Sequence, residues 1–285
     1  MIPTPFRHEN VDEIDVLALE KVIEQMASKK VHGLWVLGVG GEQDTLSDTE
    51  REIVLRTSLS GCAGLPVSAG VTSTRAAESL ERARRFQELG CKSIFALQPV
   101  TSQSDGESVA SFYQQLVDTG IETVAYIDTT PWEKQGCGVN AIISQLDPLW
   151  ELSIAGVKLA CSDFRIWVAL NDRALRHGLL VYTASGRLAV AALALGAHGV
   201  IADDVTVAPD RFVELFEAWR KGDHATAREL QYQVAEIGRL ISEVSISGAK
   251  YALARQGLCA PDTRQPTAVD SNLGERIAAE LNALR

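Results

Sequence analysis

The chain has 285 residues, of which 46% are apolar and 22% charged. That is ordinary globular composition, which excludes disordered and fibrous classes, and the length suits two average domains or one α/β barrel of about 250 residues. Lys and Arg number 27 against 37 Asp and Glu, a net charge of −10; so acidic a surface repels phosphate backbones and anionic lipid, so neither nucleic acid nor a membrane is expected as a partner.

One unit repeats along the chain: a short β-rich apolar run, a turn, then a helix with apolar residues at 3–4 spacing. DVLALEKVIEQMASKK is the first helix, with Leu19, Val22, Ile23 and Met26 on one face. Strand 33–38 follows, then SDTEREIVLRTSL, where Ser47 and Glu50 form a capping-box pattern. Strand 65–71 precedes STRAAESLERARRFQELG, which Gly90 closes as a C-cap. Strand 92–98 leads to a helix at about 106–119, strand 122–128 to NAIISQLD, and strand 154–161 to DFRIWVALNDRALRHG. Strand 179–184 precedes the Ala/Leu-rich GRLAVAALALG, and strand 198–203 precedes PDRFVELFEAWRKG. These are seven clear strands. A first strand of an eight-fold ring has room only within residues 1–6 and must be short. Strands joined by crossover helices pair in parallel, and eight such units in roughly 220 residues predict an α/β fold, a (β/α)8 TIM barrel. No GxGxxG opens the first unit, which argues against a doubly wound dinucleotide fold. After residue 222 the periodicity stays helical, in HATARELQYQVAEIGRLISEV, SGAKYALARQG and NLGERIAAELNAL. The expected organisation is therefore a barrel over 1–222 and a helical extension over 223–285 packed on it.

The five cysteines are Cys62, Cys91, Cys137, Cys161 and Cys259, odd in number and with no CxxC. This usage argues for a reducing compartment and against a disulfide framework or zinc site. MIPTPFRHENVDEID lacks the apolar core of a signal peptide, and the apolar uncharged stretch 188–202 is too short to span a bilayer. These features predict a soluble, cytoplasmic protein.

In a barrel, chemistry sits at the C-terminal ends of the strands. Lys158 lies inside the apolar strand IAGVKLAC. It points either into the barrel or between sheet and helices; both places are dry, which lowers an amine pKa and favours the neutral nucleophile of Schiff-base chemistry. A snorkelling or carboxylate-paired lysine is the structural alternative. Tyr126, near the end of ETVAYID, is either a proton shuttle or a packed tyrosine with a satisfied hydroxyl. GVGGEQDTL (38–46) is either a backbone cradle for an anion such as a carboxylate or simply a tight turn; without GK[ST] it implies no nucleotide. Trp132 and Lys134 in TTPWEKQGCG line a substrate mouth or are plain loop residues. Asp203 and Asp204 read as solvated loop acids, since no third metal ligand is in view, and Cys161 as packing.

These residues, taken in order, resemble the dihydrodipicolinate synthase/N-acetylneuraminate lyase family of class I aldolases. TPF (4–6), GVGGEQDTLSDTE, PVSAGVTSTRAAESLERARRFQELG, Tyr126, GVKLACSD, LALGAHGVIADDVTVAP, GDHATARELQ and SGAKYALARQGL match its successive motifs across nearly the whole chain. The resemblance implies that Lys158 forms a Schiff base with pyruvate or another 2-oxo acid, that Tyr126 relays protons, and that Val39 and Gly40 hold the carboxylate with Ile201 beside the substrate. It implies an aldehyde as second substrate, a homo-oligomer, commonly a tetramer of tight dimers, and no metal or organic cofactor, because the lysine is itself the electron sink. A dehydratase of a deoxy-2-oxo sugar acid would use the same lysine and tyrosine, and a metabolite-binding barrel without turnover is the non-enzymatic alternative. The departures are specific. The two hydroxyls usual in the glycine loop are replaced by Val39 and Gly40. Y-N-x-P becomes YIDTTP, the following loop WEKQGCG has no arginine, and Val100 and Thr101 stand where a tyrosine pair is usual. Synthesis of dihydrodipicolinate itself is therefore not expected.

Overall fold

The computed structural model describes residues 1–8, 10–99 and 106–284. In chain order the elements are β1 (Phe6–Arg7), β2 (Asn10–Ile14), α1 (Val16–Ser28), β3 (Leu34–Val36), α2 (Asp48–Gly61), β4 (Val67–Gly70), α3 (Ala76–Glu88), β5 (Ser93–Leu97) and α4 (Gly106–Val117). They continue with β6 (Glu122–Asp128), α5 (Thr130–Lys134), α6 (Val139–Gln145), β7 (Gly156–Ala160), α7 (Phe164–Arg176), β8 (Leu180–Thr183), α8 (Ala189–Ala194) and β9 (Gly199–Val200). The chain ends in α9 (Asp203–Val207), α10 (Pro209–Arg220), α11 (His224–Glu243), α12 (Ile246–Arg255) and α13 (Ser271–Ala283). The expected alternation of strand and helix is present. Strands β3 to β9 share one sheet in chain order, and the neighbour pairs from β5 to β9 are parallel, as crossover helices require.

Local chemistry explains where the elements start and stop. The Asp15 carboxylate accepts the Ala18 N–H at 3.0 Å and opens α1. Leu19, Val22, Ile23 and Met26 then form its buried stripe, each contributing roughly 1.5–3 kcal/mol by leaving water. At α2 both halves of the capping box are made: Glu50 accepts the Ser47 N–H at 2.8 Å and Ser47 Oγ accepts the Glu50 N–H at 3.3 Å. Gly90 follows α3 at φ +92°, a conformation that disfavours any side chain.

Two compact units emerge from the contacts. The first comprises residues 1–68, 186–190 and 201–285, so the C-terminal helices group with the N-terminal segment; the second comprises 69–185 and 191–200. Within the first, the Ile2 N–H donates to Trp35 O at 2.8 Å and the Met1 nitrogen donates to Ala202 O at 2.8 Å. Residues 1–4 thus run between β3 and the segment after β9, where the short first strand was expected, although they pair too briefly to count as a strand. β1 and β2 form an antiparallel ribbon that the sequence pattern does not announce. Among the described residues, no helix is long and apolar enough to cross a membrane.

Candidate active site

The second unit brings Lys158 and Tyr126 together. Strands β6 and β7 pair in parallel with Tyr126 opposite Lys158, so both side chains leave the same face of the sheet. Val157 and Leu159, on the opposite face of β7, are 0% and 1% exposed. The Lys158 Nζ lies over the Tyr126 ring, 4.0 Å from its centroid, with the two residues 2% and 9% exposed. The structure thus places the two residues side by side in a buried setting.

Beyond this pair the strand ends are tied by a carboxylate. Glu133, on the short helix α5, accepts the Thr129 hydroxyl at 2.5 Å, the Ser162 N–H at 3.2 Å and the Asp163 N–H at 3.0 Å. Pro131 sits in the first turn of α5, where its missing N–H costs nothing. Trp132 is 3% exposed, which makes it part of the packing rather than an exposed loop residue, while Lys134 is exposed. The Cys161 thiol is pushed up to about 12, chiefly by burial; a thiol is a poor nucleophile in that state, in keeping with a packing role. Gln98 and Tyr113, which the sequence did not single out, bond the backbone of β6 at Tyr126 and Asp128. The only signal for Gln98 was a polar residue closing an apolar strand; Tyr113 gave none beyond its helix stripe. Val100 and Thr101 lie outside the described residues.

The first unit holds the glycine turn. The N–H groups of Gly41 and Gln43 bond Gly38 O at 2.9 and 3.4 Å, and that of Glu42 bonds Val39 O at 3.0 Å. Leu37 and Glu42 flank the turn at φ +60° and +52°, strained values that cost about 1–3 kcal/mol each and persist only where the surroundings impose them. At Glu42 the surroundings are explicit: its carboxylate accepts from Lys250 Nζ at 2.6 Å and from the Arg264 N–H at 2.8 Å. Lys250 is wholly buried, also donates to Asp262 O at 2.9 Å and lies over the Phe6 ring. Burial pulls its pKa down, opposed by Glu42. Val39 is 47% exposed.

Asp203 and Asp204 differ from the sequence reading. They are not solvated loop acids: they open α9, with Asp203 half-buried and Asp204 buried. A Cβ placed on Gly40 would fall 2.0 Å from Asp203 Oδ1, so the Asp203 carboxylate rests directly on the Gly40 backbone. Only glycine fits there, and the turn expected to receive a substrate carboxylate already has an acid against it. Asp204 is pushed up to about 7, first by burial and then by the charge of Asp203. Ile201, half-buried, lies just before these acids. Among the described residues no group of three or more His, Cys, Asp or Glu side chains is gathered as a metal site would need.

The model of the dihydrodipicolinate synthetase family matches residues 1–283. A 4-hydroxy-tetrahydrodipicolinate synthase of Phenylobacterium zucineum is 28% identical over 267 residues, 92% of this chain and 88% of the relative. Among solved structures, a prophage protein of the dihydrodipicolinic acid synthase family from E. coli K12, in complex with pyruvate, superposes with a TM-score of 0.84 at 20% identity, covering 99% of this chain and 96% of that one. The N-acetylneuraminate lyase of Proteus mirabilis does so with a TM-score of 0.81 at 19% identity, with coverages of 99% and 96%. The fold is the (β/α)8 barrel with a C-terminal helical extension that the sequence pattern predicted. The chain belongs to the dihydrodipicolinate synthetase family, among the class I aldolase-type carbon–carbon lyases, as a divergent member.

Proposed function

We propose that the protein is a Schiff-base-forming lyase that makes or breaks a C–C bond next to an enamine derived from pyruvate or a related 2-oxo acid, with an aldehyde as the other partner. The observation that carries this reading is the buried Lys158 amine held 4.0 Å over the Tyr126 ring. In the reaction, the Lys158 nitrogen attacks the ketone carbon, and the carbonyl oxygen takes up a proton to give a carbinolamine. That hydroxyl then leaves as water, with a proton supplied through the Tyr126 phenol, and an imine remains. Loss of a proton from the adjacent carbon gives the enamine, which adds to the aldehyde carbon as the aldehyde oxygen takes up a proton; water then hydrolyses the resulting imine, releasing the product and the free Lys158 amine, and the reverse order of steps is cleavage. Val39, Gly40 and Ile201 are the candidates for substrate binding. The Asp203 carboxylate against Gly40 favours weak binding of a substrate carboxylate there, and so also supports the second reading, a metabolite-binding barrel without turnover. A homo-oligomer in the cytoplasm completes the proposal, with light scattering the check on assembly.

The experiment is reductive trapping. Borohydride added with pyruvate should reduce the imine to a stable amine, and peptide mapping should place the adduct on Lys158 alone, because protonated surface lysines are poor nucleophiles. Lys158→Ala should abolish the adduct with the fold intact. Absence of trapping with pyruvate and other simple 2-oxo acids would favour the non-catalytic reading, and adducts spread evenly over surface lysines would remove Lys158 from its role.

A further inference from the structure

Two buried side chains hold strand β6 where it carries Tyr126. The Tyr126 carbonyl accepts the Gln98 backbone N–H at 3.0 Å and lies 3.1 Å from the Tyr113 hydroxyl. That hydroxyl is also 2.9 Å from Ala96 O, so it sits in the fork between the carbonyls of β5 and β6. Tyr113 is 0% exposed. Burial pushes its phenol well above the usual range, so it stays protonated as a donor.

Gln98 uses both ends of its amide on one residue. Its Oε1 accepts the Asp128 N–H at 2.9 Å, and its Nε2 donates to Asp128 O. β5 ends at Leu97 while β6 runs on to Asp128. The amide therefore extends the pairing to Asp128, two residues past Tyr126, where the β5–β6 register ends. Both side chains bring polar atoms into a dry place, which is tolerable only because each is satisfied, and both fasten the same short length of strand.

A phenol that hands protons to groups on Lys158 must keep its ring in register with the amine, and a misplacement of about 1 Å can cost on the order of 10²-fold in rate. We propose that Gln98 and Tyr113 are positioning residues for imine formation, fixing β6 at Tyr126 and Asp128 so that the phenol stays over the Lys158 amine. The proposal rests on Lys158 being the imine-forming lysine.

The test is a double-mutant cycle on the full chain, with pyruvate as probe and the rate of borohydride-trapped adduct on Lys158 as readout. Gln98→Met keeps the volume and removes both amide bonds; Tyr113→Phe removes the hydroxyl. Each should trap at least about 10-fold more slowly while its circular dichroism matches the parent. Made in a Tyr126→Phe background, neither should slow trapping more than about 2-fold further, since no phenol remains to be placed. Parental trapping rates in folded variants would overturn the proposal. Equal slowing with and without the Tyr126 hydroxyl would also overturn it, because a merely structural role predicts that result. If Gln98→Met does not fold, Tyr113→Phe decides the matter by the same criteria. Failure of the parent chain to trap pyruvate would overturn the Lys158 reading and this proposal with it, whereas normal parental trapping with additive variants would overturn only the positioning role.

Discussion

Replacing Asp204 by Asn should stabilise the protein increasingly as pH rises. Asp204 is 7% exposed. A Cβ added to Gly186 or Gly238 would lie 2.4 or 2.7 Å from its Oδ2, so the carboxyl is wedged between two backbones that have room only for glycine. Its Oδ1 has no hydrogen-bond partner among the described residues. Burial, with Asp203 adding to it, raises its pKa from 3.8 to about 7. That gap of about three units at 1.36 kcal/mol each costs about 4 kcal/mol when the group is charged in both states. The folded pKa lies above the unfolded one, so the penalty is absent below about pH 4, grows as pH rises, and is complete above about pH 7. Between pH 5 and pH 8 it grows by about 2–3 kcal/mol, or roughly 5 °C in Tm for a chain of this size. Glu50 acts in another window: the Arg264 guanidinium beside it holds it at about 2, so its contribution is lost only as pH falls below about 4.5. Urea unfolding of the parent and Asp204→Asn at pH 5 and pH 8 measures the difference directly, and any fixed offset from the new amide cancels. A stability difference that does not change with pH, or one that shrinks toward pH 8, would refute the reasoning.

Other predictions follow from the same geometry. Tyr126→Phe should lower kcat on a confirmed substrate by roughly 10²–10⁴-fold with a smaller change in KM; an unchanged kcat removes the phenol from the mechanism. Turnover of pyruvate and aspartate semialdehyde should be poor because WEKQGCG carries no arginine, and a coupled assay showing efficient turnover would contradict this. Lys250→Met should cost about 3–5 kcal/mol by leaving Glu42 charged and buried, while the Glu42→Gln/Lys250→Met double variant recovers most of that loss in urea unfolding.

Short-range chemistry was legible in the sequence, and long-range chemistry was not. The apolar stripe of α1, the Ser47 and Glu50 capping box and the left-handed Gly90 all depend on residues within a few positions of one another, so pattern alone located them. Lys158 and Tyr126 stood out because each is polar in an apolar strand. The buried pair of Glu42 and Lys250 joins residues 208 positions apart, and no periodicity marks either. Asp203 and Asp204 looked solvated because the glycines that enclose them, Gly40, Gly186 and Gly238, come from three distant segments. The helix α5 has no signature in the pattern because five residues cannot show a 3.6-residue period, and the sequence leaves Trp132 in it either a mouth-lining or a plain loop residue, whereas it is buried.

Between Tyr126 and Pro131, where the chain departs from its family, the added residues are bonded into the structure. YIDTTP places two extra residues before Pro131, and each of them is engaged. Asp128 pairs with Ala160 across the sheet and accepts the Thr130 N–H at 2.9 Å, and Thr129 bonds Glu133, which in turn holds the backbone of Ser162 and Asp163. Gln98 reaches across from β5 to the same Asp128 backbone. These altered residues therefore lie at the ends of the strands that carry Tyr126 and Lys158, while those two residues keep the types the family resemblance assigns them. Imine formation needs only the amine, the phenol and a carbonyl, so it tolerates a rebuilt rim; recognition of the second substrate depends on that rim. This division supports retained imine chemistry at Lys158 combined with a partner aldehyde different from that of lysine-pathway enzymes. A panel of aldehydes screened for pyruvate consumption is accordingly the assay in which the divergence should show, and a preference for aspartate semialdehyde across that panel would count directly against it.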